Sequence, residues 1–456
     1  YFTNTIIKYL DSSNKKSINY WDSIRPLPLL ANEAADYLKK DSLEIVRKNP
    51  AYLDSIDHIR NKFRLNKLLL SGYNYSKQRN KINLKFDPLF YLFPVSFNPA
   101  EGRVMQYKMS YNKGFGERSN LRITPALRYG IEKGMLYYSI NNSFSFPSKL
   151  RNSLSVGFGK NVFQFNNENP IPETANTFNA YLWGRNLMKT YEAGFATLNY
   201  KKEMGHGVDI AFDLEYQNRS PLDNVIDSLR GTAFSPNYPT DLMNANLQQH
   251  QALLVSVNLQ WTPKSKYLEL PNRLIKLGST YPTFNFNIVT GLKNALGSDV
   301  DFTKWSFTAS KNLNLKIYGR LNAKIVVGGF LNANKVYEPD YRHYNTSRVA
   351  LAGTYMNAFQ LLPYYKYSNT ANFYTESHFE YHLNGFLSNK IPVFKKLNWF
   401  FVLGANTLNV NSQVNYYETF FSIENIFKLG RIDFVNGYLH KGPNSNGIKF
   451  TLKLFR

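Results

Sequence analysis

The chain has 456 residues, 43% hydrophobic and 16% aromatic, with 33 Tyr, 34 Phe, a mean hydropathy of −0.40 and a formal charge of +23. No run approaches the roughly 20 consecutive apolar residues of a membrane-spanning helix, and the absence of cysteine excludes disulfides and thiolate metal sites. Lys and Arg are scattered singly along the chain, which disfavours a nucleic-acid groove and fits anionic lipid and lipopolysaccharide phosphates as partners.

Residues 1–66 are charged and carry helical spacing rather than alternation. The stretch Asn32 to Lys48 is predicted helical and is stopped by Pro50. A second amphipathic helix is predicted where Tyr52, Ile56, Ile59 and Phe63 recur every three to four residues. This segment is expected to be a periplasmic linker or a plug in the interior of a barrel formed by residues 67–456. A Tyr-Phe start without Met or an apolar leader leads us to expect a targeting signal, and a further domain, ahead of Tyr1.

From about Ile82 the period becomes two. Val208, Ile210, Phe212, Leu214 and Tyr216 share one face, while Asp209, Ala211, Asp213 and Glu215 share the other. Leu253, Val255, Val257, Leu259 and Trp261 alternate with Ser256, Asn258, Gln260 and Thr262. Leu313 to Gly329 reads as one long strand of the same kind. Alternation between apolar and hydrated faces averages hydropathy towards zero, and interfacial girdles enrich aromatics, so the composition fits an all-β transmembrane antiparallel barrel. Candidate strands begin near Ile82, Arg103, Asn120, Gly134, Leu150, Tyr191, Gly207, Gln251, Tyr281, Phe302, Leu313, Phe373, Asn398, Asn415, Gly430 and Asn446, which gives about 16. The longest connections, Asn161 to Lys189, Gln217 to His250 and Phe330 to Asn372, then fall on one side, the expected extracellular side. Pro263 to Thr280 is the exception, a long connection on the other side.

Near the C-terminus His378, Glu380 and His382 project from one strand face. Same-face residues lie about 7 Å apart along a strand, too far for the outer pair to hold one metal ion without bending. A hydrogen-bonded network with Glu418, Glu424, Arg431 and Asp433 is therefore expected, with cross-strand ion pairs between the last two groups. No metal, cofactor or catalytic residue is expected. The last strand alternates Ile448, Phe450, Leu452 and Leu454 against Lys449, Thr451 and Lys453, and the stretch Gly447 to Phe455 reads as a C-terminal insertion signal available for strand addition.

Specific motifs carry a resemblance. Glu376-Ser-His-Phe-Glu-Tyr-His-Leu-Asn-Gly385, Asn389-Lys-Ile-Pro392, Lys395-Lys-Leu-Asn398, Gly404-Ala-Asn-Thr407, Ile423-Glu-Asn-Ile-Phe-Lys428 and Arg431-Ile-Asp-Phe434 are joined by Trp21-Asp-Ser-Ile-Arg-Pro-Leu-Pro28, Lys40-Asp-Ser-Leu-Glu44 and Phe97-Asn-Pro-Ala-Glu-Gly102. Together they resemble an uncharacterised Bacteroidota family of outer-membrane barrel proteins that often carry an N-terminal carboxypeptidase-regulatory-like domain. The order of the last four strands is more distantly similar to outer-membrane assembly and translocation barrels. The resemblance implies the outer membrane of a Gram-negative bacterium and other outer-membrane or periplasmic proteins as partners. The function expected is non-enzymatic, in outer-membrane protein assembly or export within a larger complex. Alternatives are a porin-like or gated transporter and an enzyme using the His/Glu cluster.

Overall fold

In a computed structural model, residues 5–10, 16–93, 96–116, 118–240, 242, 247–347, 353–411, 414–440 and 442–452 are described. The N-terminal part holds a short strand, β1 (Thr5–Lys8), and helices α1 (Ile18–Ile24), α2 (Ala31–Lys48), α3 (Pro50–Arg60) and α4 (Leu65–Leu70). Helix α2 starts with the Glu33 carboxylate accepting from the Leu30 amide and ends on Arg47 and Lys48, each favourable to the helix dipole. Asn49 caps α3, accepting from the Ala51 amide, and Pro50 supplies its first residue. Helix α2 buries none of its side chains, whereas α3 is tied down through Asp57, which accepts from the Ser76 hydroxyl and the Gln78 amide.

Strands then follow one another: β2 (Tyr73–Lys77), β3 (Ile82–Phe86), β4 (Ser96–Asn98), β5 (Gly102–Gly114), β6 (Asn120–Gly130), β7 (Met135–Ser145) and β8 (Asn152–Gln164). Helix α5 (Glu173–Trp183) separates β8 from β9 (Thr190–Gly205), which turns directly into β10 (Val208–Pro221). A two-residue hairpin, β11 (Ser228–Leu229) and β12 (Thr232–Ala233), lies ahead of β13 (His250–Trp261). A second hairpin, β14 (Lys266–Leu270) and β15 (Arg273–Gly278), precedes β16 (Thr283–Gly291), β17 (Asp301–Asn314), β18 (Arg320–Lys335) and β19 (Tyr374–His382). Short helices α6 (Gly385–Ser388) and α7 (Pro392–Leu397) lead to β20 (Phe400–Val410), β21 (Val414–Ile426), β22 (Gly430–Leu439) and β23 (Ser445–Leu452).

These strands make one large antiparallel sheet in the order β2, β3, β5 to β10, β13, β16 to β23, with β4 beside β3 on the same edge of β5. Among the described residues no register joins β23 to β2 or β3. The fold is thus all-β with few helices. A separate small sheet adds β1, in parallel, to the β14–β15 hairpin. Because neighbours run antiparallel, connections alternate between two ends. Residues 165–189, 222–249 and 336–373 all leave from one end, here the loop end, as their positions in the sequence imply. The opposite, turn end carries the β14–β15 hairpin, α6, α7 and short turns.

Burial is inverted relative to an aqueous globule. Leu127 and Ile448 are 53% and 55% exposed, and Phe212, Leu259, Phe307, Ile325 and Phe434 are likewise exposed on the outer face. Glu418 and Asp433 are fully buried on the inner one. The alternation predicted for Val208 to Tyr216 and Leu253 to Trp261 is the alternation of these two faces.

One prediction is corrected. Leu313 to Gly329 is not a single strand: β17 ends at Asn314, the chain turns through Leu315 to Gly319, and β18 begins at Arg320. Gly319 adopts φ 108° there, open to glycine and strained for other residues. The turn has an odd number of residues and pairs Leu313 with Leu321, so alternation keeps its phase through the reversal. Helix α4 straddles the expected boundary at residue 66, and the sheet starts at Tyr73.

Candidate functional site

The inner faces of β19 to β22 carry a buried polar surface. Glu376, His378, Glu380 and His382 line β19, Asn406 lies on β20, Glu418, Ser422 and Glu424 on β21, and Arg431 and Asp433 on β22, all buried. In the lower half, His382 Nδ1 is 3.1 Å from Glu424 and its Nε2 is 3.3 Å from Glu380. The Arg431 guanidinium binds Glu380 at 2.5 Å, Asp433, and the Ser422 hydroxyl at 3.1 Å. Rings enclose it, with Tyr355 at 4.7 Å and Phe420 at 5.7 Å from the guanidinium carbon.

The register sets Glu424 directly opposite Arg431. The guanidinium nevertheless extends past β21 and β20 to Glu380 on β19. Gly404, between Glu380 and Phe420 in the register, leaves room for the Phe420 ring that the guanidinium packs against, since a Cβ there would stand 2.0 Å from Phe420 Cζ and 2.5 Å from the Phe379 carbonyl oxygen. His378, Glu380 and His382 do not converge on a point: His378 turns to Asn406 at 3.0 Å, while His382 turns to Glu380 and Glu424. Among the described residues, no group of three or more His, Asp or Glu is placed to hold a metal ion.

The upper half holds the chain's own loop. The described residues between β18 and β19, 336–347 and 353–373, fold onto the inner face instead of standing out from the sheet. Glu418 accepts from the Gln360 amide at 2.8 Å, the Leu361 amide at 3.2 Å, Asn406 Nδ2 at 2.8 Å and the Tyr416 hydroxyl at 2.9 Å. Phe359 and Leu362 pack among Val326, Tyr374, Leu408 and Tyr416, and Tyr355 packs against Val402, Phe420 and Val435. Asp340 of the same loop forms a two-bonded pair with Arg219 on β10, at 2.6 and 3.0 Å. Arg342 joins Glu376 at 2.5 Å to Glu168 at 2.9 Å. One loop therefore touches strands far apart in the sheet, which curves round it.

The other loops close over the same end. Phe165, Tyr191, Leu242 and Leu247 meet Tyr364 and Tyr365, and α5 packs Ala180 against Phe97 and Phe234. Arg128 on β6 binds buried Glu101 and reaches Glu173 at the start of α5. Sequence reasoning missed these residues. The available signal was a loop too rich in Tyr, Phe and Leu, from Tyr355 to Tyr367, for a solvated excursion.

His343, in this loop, sits between the Ser368 hydroxyl and the Glu338 carbonyl, both at 2.9 Å. A neutral ring satisfies both, donating from Nε2 to the carbonyl and accepting at Nδ1. Burial, reinforced by the nearby Lys304 ammonium and opposed by Glu168, pushes the imidazole down to about 3. Since this lies below the ordinary value near 6.5, the unfolded loop binds the proton more tightly, and stability present above about pH 6.5 is lost as the pH falls towards 3. Protection of the loop amides against hydrogen exchange, taken relative to the intrinsic rate at each pH, should fall between pH 7 and 4 in the wild type and less in His343→Gln. An equal fall in both would refute this.

Of the proposed insertion signal, Gly447 faces inwards, where a Cβ would come within 2.8 Å of Leu361, and Phe450 is exposed on the outer face. Leu452 is placed in β23 by its backbone alone, and Leu454 and Phe455 lie outside the described residues.

A family model matches residues 66–423: the C-terminal domain of a family of unknown function (DUF5686). No curated protein matches. Among solved structures, BamA from Haemophilus ducreyi lacking POTRA domains 1–3 is similar at 12% identity and a TM-score of 0.41, over 82% of this chain and 70% of that one. CdiB from Acinetobacter baumannii is similar at 10% identity and 0.36, over 76% and 56% of the two chains. CdiB from Escherichia coli follows at 10% and 0.34, over 78% and 60%.

Proposed function

The chain belongs to the DUF5686 family, and we propose that it is a non-enzymatic outer-membrane β-barrel protein of a Gram-negative bacterium, acting in outer-membrane protein assembly or export as a subunit of a larger envelope complex. The apolar exterior and buried ionic interior suit hydrocarbon outside and a polar interior within. On this reading the loop end is extracellular and the turn end, with the N-terminal helices, periplasmic.

The observation that carries the assembly or export reading is the pair of edges at β2 and β23, which have no register with each other among the described residues. A closed pore has no such edges, whereas an unpaired edge offers backbone donors and acceptors to an incoming strand. Depleting the protein from its native cell should lower the amount of folded, heat-shifted barrel protein in the outer membrane or of exported protein outside it. Unchanged levels of both would sink the proposal.

A second reading, a solute channel, is favoured by one observation: the wall from β6 to β9 is lined by Arg122, Thr124, Asn141, Ser155 and Asn199 around a polar cavity of about 170 Å³. Planar-bilayer recordings separate the two. A loop-filled interior predicts little steady conductance, and a large steady conductance would favour the channel.

The membrane placement has its own test. Phe421 is exposed between the rings of Phe401 and Phe434, so Phe421→Arg is expected to cost about 2–4 kcal/mol in a bilayer if it lies near mid-depth. Unfolding in lipid vesicles measures this, and an unchanged midpoint would contradict the placement.

A further inference from the structure

At the turn end, on the opposite side of the molecule from the loop plug, the β14–β15 hairpin leans over the inner faces of β9, β10 and β13. Contacts from both of its strands and its tip fix it there, among them the Gly207 amide donating to the Tyr267 hydroxyl at 2.7 Å. The Leu274 amide donates to the Lys149 carbonyl at 2.9 Å, and Arg118 donates to the Asn272 carbonyl at 3.1 Å. Its outer edge is covered by β1, and Glu269 ties that edge to Lys149 at 3.0 Å and Lys8 at 3.8 Å. Beneath the hairpin is a cavity of about 550 Å³.

Five cations line this cavity from the inner side: Arg118, Arg151, Lys201, Arg273 and Lys276. Only two carboxylates, Glu203 and Asp209, oppose them. Asp209 is engaged by Lys276 at 3.2 Å, and Glu203 Oε1 is buried without a hydrogen-bond partner. Arg151, Lys201 and Arg273 have no carboxylate within ion-pair distance among the described residues. Lys201, opposite Ala211 in the register, comes from the inner face of β9, the β7–β8 turn supplies Arg151, and the hairpin supplies Arg273, so the charges converge from separate elements, while Lys202 stands opposite Ile210 on the other face of β9. Elsewhere on the inner face, Arg128, Arg219, Arg342 and Arg431 are each paired with carboxylates.

We infer that this cavity binds a ligand carrying two or more phosphate groups. Clustered like charges in a concave site repel one another and draw in an anion. Guanidinium forks from opposite walls suit phosphate oxygens with paired hydrogen bonds, while ammonium groups add point charge. The site takes its ligand from the turn end, because the packed loops close the other.

Titration of the full chain in detergent with inorganic pyrophosphate tests this directly. Saturable binding that weakens with rising salt is expected. Arg151→Gln with Arg273→Gln should weaken it at least about tenfold, and Lys201→Gln should weaken it about threefold or more, a second variant available if the first disturbs folding. Glu203→Gln should tighten binding. Lys395→Gln with Lys396→Gln, on α7 at the same end, should leave it unchanged. Micelles doped with cardiolipin, a lipid with two phosphates, form a second arm: competition with pyrophosphate identifies a lipid-borne phosphate pair as the ligand, and its absence a soluble one. The inference is overturned by absent saturable binding, by equal loss in the α7 variant, or by an oligo-aspartate peptide binding as tightly as pyrophosphate.

Discussion

Glu418→Ala is expected to free the tip of the plug loop, residues 353–361, and to open the interior without disturbing the strands. The carboxylate is the shared acceptor for two loop amides, Asn406 and the Tyr416 hydroxyl, all at a site closed to water. Each buried donor left bare costs about 1–3 kcal/mol, so a loss on the order of 4 kcal/mol from the loop's attachment is expected. The base of the loop should stay seated, since Asp340 remains on Arg219 and Arg342 on Glu376. Glu418→Gln keeps one acceptor oxygen and should show a smaller effect. Protease added to reconstituted vesicles should cut near Tyr355 to Leu361 in Glu418→Ala only, with a matching rise in bilayer conductance. Wild-type resistance in Glu418→Ala would show that the apolar packing of Phe359 and Leu362 holds the loop unaided.

The faces of the strands were legible in the sequence because lipid and water impose opposite demands on successive residues. Phe212 next to Asp213, and Phe434 next to Asp433, cannot exchange places without setting a carboxylate in hydrocarbon. The hairpin at Leu315 to Gly319 was not legible, because an odd turn preserves the two-residue period that reveals strands. The partners of Arg431 were half legible. Local spacing places Asp433 beside it, but Glu380 lies three strands away in the sheet, a partner that only the register of β19 to β22 brings within reach. The plug was hidden for a different reason. Length marked residues 336–373 as a long connection, and only tertiary packing decides whether Tyr355 and Phe359 face solvent or the wall.

Arg431→Met is expected to be the most damaging single change in the wall. The guanidinium is the one cation bridging Glu380 and Asp433 among the described contacts, and it also fills the space between Tyr355 and Phe420. Methionine retains much of the bulk but leaves two carboxylates buried with their main counter-charge gone, at a cost of about 3–5 kcal/mol. The loss should be electrostatic rather than steric, which a compensated variant can establish. Arg431→Met combined with Glu380→Gln and Asp433→Asn removes the stranded charges and should recover most of the deficit, a coupling that additive effects would not give. His382 retains Glu424 in that variant, so the lower network is thinned rather than erased. Urea unfolding followed by the heat-dependent gel shift measures the wild type, Arg431→Met, the compensated variant and Glu380→Gln with Asp433→Asn alone. A cost below about 1 kcal/mol for Arg431→Met, the range of a solvent-exposed ion pair, would mean that water reaches this part of the wall. No recovery in the compensated variant would mean instead that the fit of the guanidinium between the two rings, and not its charge, keeps β19 and β22 in register across the inner face.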